Sequence, residues 1–362
     1  MLLSAGAAGA DSFSSGQQKA FIPNQIVSST TPLNGDGNPY GVAIVPSGFP
    51  SGGKIKPGDI LVSNFNNGMG LQGTGTTIIQ LTPNGIVAAS GTATIFFQGS
   101  GLGLTTALGV LQRGFVLVGS VSTTDGKFGT IQAGPLLFLD RNGNQVAPSP
   151  YTAGLDGPWD LTIDDEFDHA HVFVSNVLNG TVTRLDLRVA ASSVTVTRAT
   201  VIATGYTVLP NMAALVTGPT GLAYDARDDV LFVASTTDNT IFAVSHAERR
   251  AGSSGPGTIV FQDQHLRGPL ALAFAPNGHL LTANGDALLS NADPTQPSEI
   301  VEFTTSGKFV GQFNVDAAEG GAFGLAVSGT EPGPNRNHGV FAFVDDNNNS
   351  IYVLGEDTAS GP

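Results

Sequence analysis

Apolar residues in this chain come in short runs rich in Val, Ile, Phe and Thr, each closed by a small or polar residue and separated by Gly, Pro, Asn and Asp. That is the pattern of β-strands joined by tight turns; long helices are not expected. The runs recur in a fixed order. A unit opens with Pro-x-Gly-apolar-Ala-apolar and turns into an apolar strand ending in a small or polar residue. It then turns through Asn or Asp into a third strand. The pattern predicts strands at 38–44, 59–64 and 76–81, then in a degenerate copy at 105–111, 114–119 and 135–140. Later copies place them at 157–163, 171–176 and 181–187; at 218–224, 230–235 and 240–244; at 268–274, 279–284 and 299–303; and at 322–327, 340–345 and 350–354. Fourth strands are expected at 94–98, 194–203, 258–262 and 310–315.

A lone four-stranded sheet cannot bury both faces, whereas sheets stacked radially bury them and leave only short edges. The fold class is therefore all-β, a six-bladed β-propeller of four-stranded antiparallel blades, with seven blades as the alternative. The sixth copy runs out of chain after its third strand. Residues 21–28 have strand character outside the first copy, so they are expected to supply the missing outer strand and close the ring. Residues 1–20 read as a processed or disordered tail, 21–357 as one propeller domain and 358–362 as a second tail.

Composition narrows the function. The net charge of −14 disfavours nucleic acid and anionic membrane, both of which need basic patches. No run approaches the ~18 apolar residues of a membrane span. With no cysteine there is no disulfide, thiolate nucleophile or thiolate metal site. Near the start, Ala8-Gly9-Ala10 has the small-x-small form that signal peptidases cut, without a charged n-region or full apolar core. A secreted or periplasmic monomer is expected.

The stretch 218–224, Gly-Pro-Thr-Gly-Leu-Ala-Tyr, followed by Leu-Phe-Val-Ala-Ser and Asp-Asn-Thr-Ile, resembles the NHL repeat. More broadly the chain is similar, over roughly residues 38–355, to the superfamily of gluconolactonase-like propellers, streptogramin lyase and the peptidyl-hydroxyglycine lyase domain. Such a resemblance implies architecture more than function, because these propellers include enzymes, ligand binders and interaction scaffolds. It also implies that the functional face is the one where inner strands start and second strands end, here called the mouth.

Second strands end at Asn64, Gly119, Asn176, Ser235, Asn284 and Asp345. Asp345, Asn176 and Asn64 are candidate ligands for Ca²⁺ or another divalent ion, which for calcium means six to eight oxygens. The resemblance also implies a structural role, with these side chains bonding backbone amides of the neighbouring blade. Asn38, Tyr40, Trp159, Asp160 and Phe323, at or beside inner-strand starts, complete a candidate binding mouth with Asn64, Asn176, Ser235 and Asn284. The three aromatics would stack on a sugar or other ring, or pack between blades.

The enzyme templates fit loosely. Gluconolactonase-like enzymes place a Glu near the first inner strand, with Asn and Asp around a divalent metal; here that strand starts Asn38-Pro39-Tyr40. The related lyases use histidines around the channel. Of His169, His171, His246, His265, His279 and His338, only His265 is expected near the mouth. The His169-x-His171 spacing puts both rings on one strand face, near Asp165, Glu166 and Asp168, as a minor metal candidate. Gly68-x-Gly70-x-x-Gly73 imitates a dinucleotide fingerprint but precedes a strand, and Asp345-x-Asn347-x-Asn349 imitates a calcium loop between strands. No catalytic residue is assigned. The expected function is a scaffold binding a small molecule, glycan or protein through its mouth, with a metal-dependent lactonase, hydrolase or lyase as the alternative.

Overall fold

The structure is a computed structural model that describes residues 24–82, 92–285, 298–328 and 339–355. The expected tails, Ala8-Gly9-Ala10 and His338 lie outside the described residues. Strand β1 (Asn24–Ser29) precedes the first repeat. Blade 1 is β2 (Gly37–Ile44), β3 (Ile60–Asn66), β4 (Thr77–Leu81) and β5 (Thr94–Gln98). Blade 2 is β6 (Leu104–Leu111), β7 (Phe115–Ser120) and β8 (Leu136–Asp140). Blade 3 is β9 (Pro158–Asp165), β10 (His169–Asn176), β11 (Thr181–Val189) and β12 (Val194–Thr204). A hairpin, β13 (Leu209–Asn211) and β14 (Leu215–Thr217), leads to blade 4: β15 (Pro219–Asp225), β16 (Val230–Ser235), β17 (Thr240–Ser245) and β18 (Thr258–Phe261). Blade 5 is β19 (Pro269–Phe274), β20 (Leu280–Asn284), β21 (Glu299–Phe303) and β22 (Phe309–Asn314). Blade 6 is β23 (Ala322–Val327), β24 (Val340–Asp345) and β25 (Ser350–Gly355).

Every blade is an antiparallel sheet running in chain order from the axis outward. β1 is the outer strand of blade 6, with Ser29 opposite Ser350 and Asn24 opposite Gly355. The two described ends of the chain thus share one sheet, and no seam between first and last blade depends on side-chain packing alone. Among the described residues blade 2 has only three strands. Beyond β8 its edge carries isolated bridges, Leu136 to Tyr151 and Leu139 to Gln145. Inner strands neighbour one another in the cycle β2, β6, β9, β15, β19, β23 and back to β2.

The geometry explains the repeat. Every pairing of an inner with a second strand shifts register near its mouth end, as between Pro39 and Val42 or Pro219 and Leu222. Such a bulge re-aims the strand toward the axis. The glycine of Pro-x-Gly lies at the point where it nearly touches the next blade. A Cβ on Gly324 would stand 1.7 Å from the Tyr40 carbonyl oxygen, and one on Gly221 2.2 Å from that of Leu270. Only glycine permits that approach. Hydroxyls then fasten adjacent blades: Ser63 Oγ donates to the Thr105 carbonyl (2.7 Å), Thr105 Oγ1 to Pro158 (2.8 Å) and Ser175 Oγ to Thr220 (2.8 Å).

Apolar side chains fill each gap between blades. Ala43 and Leu61 of blade 1 pack with Leu108 and Val118 of blade 2, and Phe173 and Val182 of blade 3 with Leu222 and Val233 of blade 4. Burying such side chains stabilises by roughly 1.5–3 kcal/mol each. Among the described residues, no helix is long and apolar enough to cross a membrane.

Candidate functional site at the channel mouth

One repeat position near the mouth, just before the close-approach point, is aromatic in three blades. It is Tyr40, Thr106, Trp159, Thr220, Leu270 and Phe323 in blades 1 to 6. The aromatic members meet there. Tyr40 stacks on Phe323 at 3.8 Å between ring centroids and on Phe65 at 4.4 Å, while Trp159 lies edge-on to Phe65 at 5.5 Å. Leu270, Val121, Val177 and, from the β13–β14 hairpin, Leu215 and Val216 complete one buried cluster. Tyr40 and Trp159 are each 1% exposed. The expected set Tyr40, Trp159 and Phe323 therefore converges, but as a plug that fills the mouth and not as an open stacking surface. Phe65 and the hairpin were not foreseen; the run Leu215-Val216 carried the only signal for the latter.

The amide and carboxyl residues at the second-strand ends are also buried. Asn176 Nδ2 donates to Thr181 and Thr183 Oγ1 (both 3.0 Å), and its Oδ1 accepts the Asp156 N–H (3.0 Å). Asn284 Oδ1 accepts the Arg267 N–H (3.0 Å), and its Nδ2 donates to the His265 carbonyl (2.7 Å) and to Glu299 Oε1 (2.8 Å). Asn64 Nδ2 donates to the Thr30 carbonyl (3.2 Å) and Thr77 Oγ1 (3.3 Å). Ser235 Oγ donates to Asp238 Oδ2 (2.7 Å). For the three asparagines the partners sit in the loop entering the same blade or in its third strand. This corrects the expectation of bonds to the neighbouring blade, which the preceding serines, Ser63 and Ser175, make instead.

The proposed ion ligands are largely drawn into hydrogen bonds of their own. Asp345 accepts from its own turn, Oδ1 from the Asn347 N–H (3.1 Å) and Oδ2 from Asn348 Nδ2 (2.6 Å). Asn176 has spent its oxygen, which leaves Asn64 Oδ1 as the one orphan oxygen of the trio. Nearby, Asn38 Oδ1, Asn66 Oδ1 and Asp346 Oδ1 are likewise buried without hydrogen-bond partners. Asn38 adopts φ 57°, a left-handed conformation that Asn tolerates. Burial, reinforced by the charge of Asp345, pushes the Asp346 carboxyl well above the usual carboxylate range. Burial and then Asp346 raise the Tyr40 phenol. Asp346 and Asn66 were not singled out in the sequence; the run 345–349 of Asp and Asn was the signal.

Asp160 occupies the glycine position of blade 3 and points into the axial channel, where a cavity of about 50 Å³ remains. Among the described residues it has no cationic partner. Its Oδ1 accepts the Leu161 N–H (2.9 Å) and its Oδ2 the Leu222 N–H of blade 4 (3.0 Å). Burial raises its pKa well above the usual range, and the two amides only partly offset this.

The far end of the ring is less regular. A mainly apolar cleft of about 400 Å³ lies between blades 5 and 6, lined by Leu281, Ile300, Phe313, Phe341 and Glu302, the last bonded to His279 Nδ1 (2.6 Å). His169 is exposed and pairs with Asp168, and His265 pairs with Asp263 and stacks on Phe309. His171 lies with Asp164 and Glu248, their ligand atoms within 4.8 Å of one another. Of the candidate pair, then, only His171 joins such a group, and its partners are not Asp165, Glu166 and Asp168.

No family model matches the sequence, and a search of curated proteins finds no match. Solved structures do match in fold. A gluconolactonase from Xanthomonas campestris aligns over 92% of this chain and 96% of its own, with 11% identity and a TM-score of 0.51. A luciferin-regenerating enzyme aligns over 94% and 98%, with 11% identity and a TM-score of 0.52. The calcium-binding protein regucalcin from Agrobacterium tumefaciens aligns over 91% and 96%, with 14% identity and a TM-score of 0.50. At such identities the likeness establishes the fold alone, and at that level the resemblance read from the repeat holds.

Proposed function

We propose that this propeller is a binding scaffold that engages a protein partner through its mouth-side loops, and not a lactonase or lyase. The observation that carries the reading is an apolar collar above a filled channel. Leu33 (90% exposed), Met69 (82%) and Met212 (99%), with Phe128 and Leu209, project from mouth-side loops. These loops form one continuous surface. Gly35 abuts Gly68; Gln72 Nε2 donates to the Ala213 carbonyl (2.9 Å); Thr123 Oγ1 donates to the Gln72 carbonyl (2.7 Å). Exposed apolar groups gathered on one face mark interaction sites, and methionine adapts to partner surfaces. Beneath them, the aromatic plug leaves no room for a substrate beside a metal or base, which hydrolysis requires.

A photo-crosslinking amino acid at Met69 or Met212, compared with one at the also exposed Ile259 on β18, tests this in the cell of origin. The two mouth positions are expected to give the same discrete adduct and Ile259 none. Indiscriminate adducts from all three positions would sink the proposal. So would turnover of a sugar lactone above about 1 s⁻¹ that Asp160→Asn abolishes in folded protein.

A further inference from the structure

Blades 3 and 4 meet at the far end of the ring over a group that the mouth does not use. Asp164 on β9 and His171 on β10 stand directly opposite each other in the strand register. Glu248 reaches them from the loop after β17, in the next blade. All three are half-buried. His171 Nδ1 is buried and has no hydrogen-bond partner. Among the described residues, no hydrogen bond reaches the carboxylate of Asp164 or of Glu248.

The cations nearby are already engaged. Arg184, buried on β11, donates through Nε to Asp186 (2.6 Å) and through Nη1 to the carbonyls of Ala247 (3.0 Å), Glu248 and Arg250 (3.1 Å). It therefore fixes the loop that carries Glu248 against blade 3. Arg249 is paired with Asp229, whose Oδ1 also accepts the Glu248 N–H (2.8 Å). The result is two acids and an imidazole brought together by the backbone and by Arg184, with Arg184 paired to Asp186 and Arg249 to Asp229 rather than to either acid. Burial raises the Asp164 carboxyl; His171 lowers it, and Glu166, Glu248 and Asp165 raise it again.

We propose that Asp164, His171 and Glu248 bind a transition-metal dication of the zinc type, pinning blade 3 to blade 4. An imidazole with two carboxylates suits such an ion, whereas calcium takes six to eight oxygens. Three protein ligands leave one tetrahedral position for water. An ion bound at 2.0–2.2 Å brings its ligand atoms to roughly 3.3 Å from one another, within reach of side-chain rotations from the present separations of under 4.8 Å. Asp186, held by Arg184, lies 3.8 Å from His171 Nε2 and adds a further carboxylate beside the ring. The site is on the opposite end of the ring from the mouth and independent of what binds there.

Calorimetric titration of the chelator-stripped full chain with ZnCl₂, MnCl₂ and CaCl₂ tests the proposal. One zinc site is expected, with weaker manganese binding and no calcium binding. Zinc at about a hundredfold its Kd should raise the melting temperature by roughly 3–5 °C. His171→Ala and Glu248→Gln should each weaken zinc at least tenfold, whereas His169→Ala and His279→Ala should not. Should His171→Ala fail to melt cooperatively, Glu248→Gln, on the loop, decides alone. Absence of zinc binding in the parent, or affinity unchanged by Glu248→Gln, overturns the site.

Discussion

The two ends of the ring use polar residues in opposite ways. At the mouth, Asn64, Asn176, Asn284 and Asp345 recur at one position of the repeat, look like a ligand ring in the sequence, and are largely consumed by hydrogen bonds within their own blades. At the far end, Asp164, His171 and Glu248 follow no repeat; His171 Nδ1 has no hydrogen-bond partner, an orphan of the kind that Asn64 Oδ1 also leaves at the mouth. A polar residue that recurs with the repeat has partners that recur with it, because each blade poses the same buried amides and carbonyls. Chemistry left over for a ligand is better sought where the repeat breaks. The mouth shows the same rule at Asp160 and the β13–β14 hairpin, both departures from the pattern.

Three substitutions would break or sharpen this contrast. The largest effect is expected from Trp159→Ala, which empties the plug. It should cost about 3–5 kcal/mol in denaturant unfolding, as large aromatic deletions from cores do. A loss below about 1 kcal/mol would mean that the mouth is loosely packed and open to ligand after all.

Asp160→Asn comes next, and its signature is in the pH profile. A carboxyl whose pKa is raised on folding stabilises the fold most below its ordinary pKa near 3.9, and that contribution is lost as pH rises through the raised value. The Asn variant lacks this slope, and its amide nitrogen cannot accept the Leu222 N–H. It should be about 1–2 kcal/mol less stable than the parent near pH 4, with the gap narrowing toward pH 8. Parallel profiles would remove Asp160 as a titrating group.

Glu248→Gln should be the mildest in metal-free protein. It removes one of two crowded carboxylates, so unfolding should change by less than about 0.5 kcal/mol, toward greater stability. A substantial loss would show that Glu248 already has a structural partner, and the far end would then resemble the mouth.

Most of the architecture was legible because strand periodicity and turn chemistry are local. The six copies and the closing role of the N-terminal strand follow from where apolar runs and Gly, Asn or Asp fall along the chain, whereas the three strands of blade 2 among the described residues depart from the expected four. The site was legible only in part. Tyr40, Trp159 and Phe323 were found as a set, because they share a repeat position. Whether they present their faces or stack against one another depends on Phe65 and the β13–β14 hairpin, which reach the mouth from other elements.

What the sequence determined by itself was the number of blades, their strand order and the closure of the ring, since strand periodicity and turn residues are local to each copy and the sixth copy lacks only the strand that the segment before blade 1 supplies. Only the tertiary structure decided that the mouth is filled, that Asp160 bonds across to Leu222, and that Glu248 of blade 4 meets His171 of blade 3. Those relations join residues far apart in the chain. They are fixed by the angle at which neighbouring blades pack and by a buried arginine that ties a loop across the seam, and no periodicity records either.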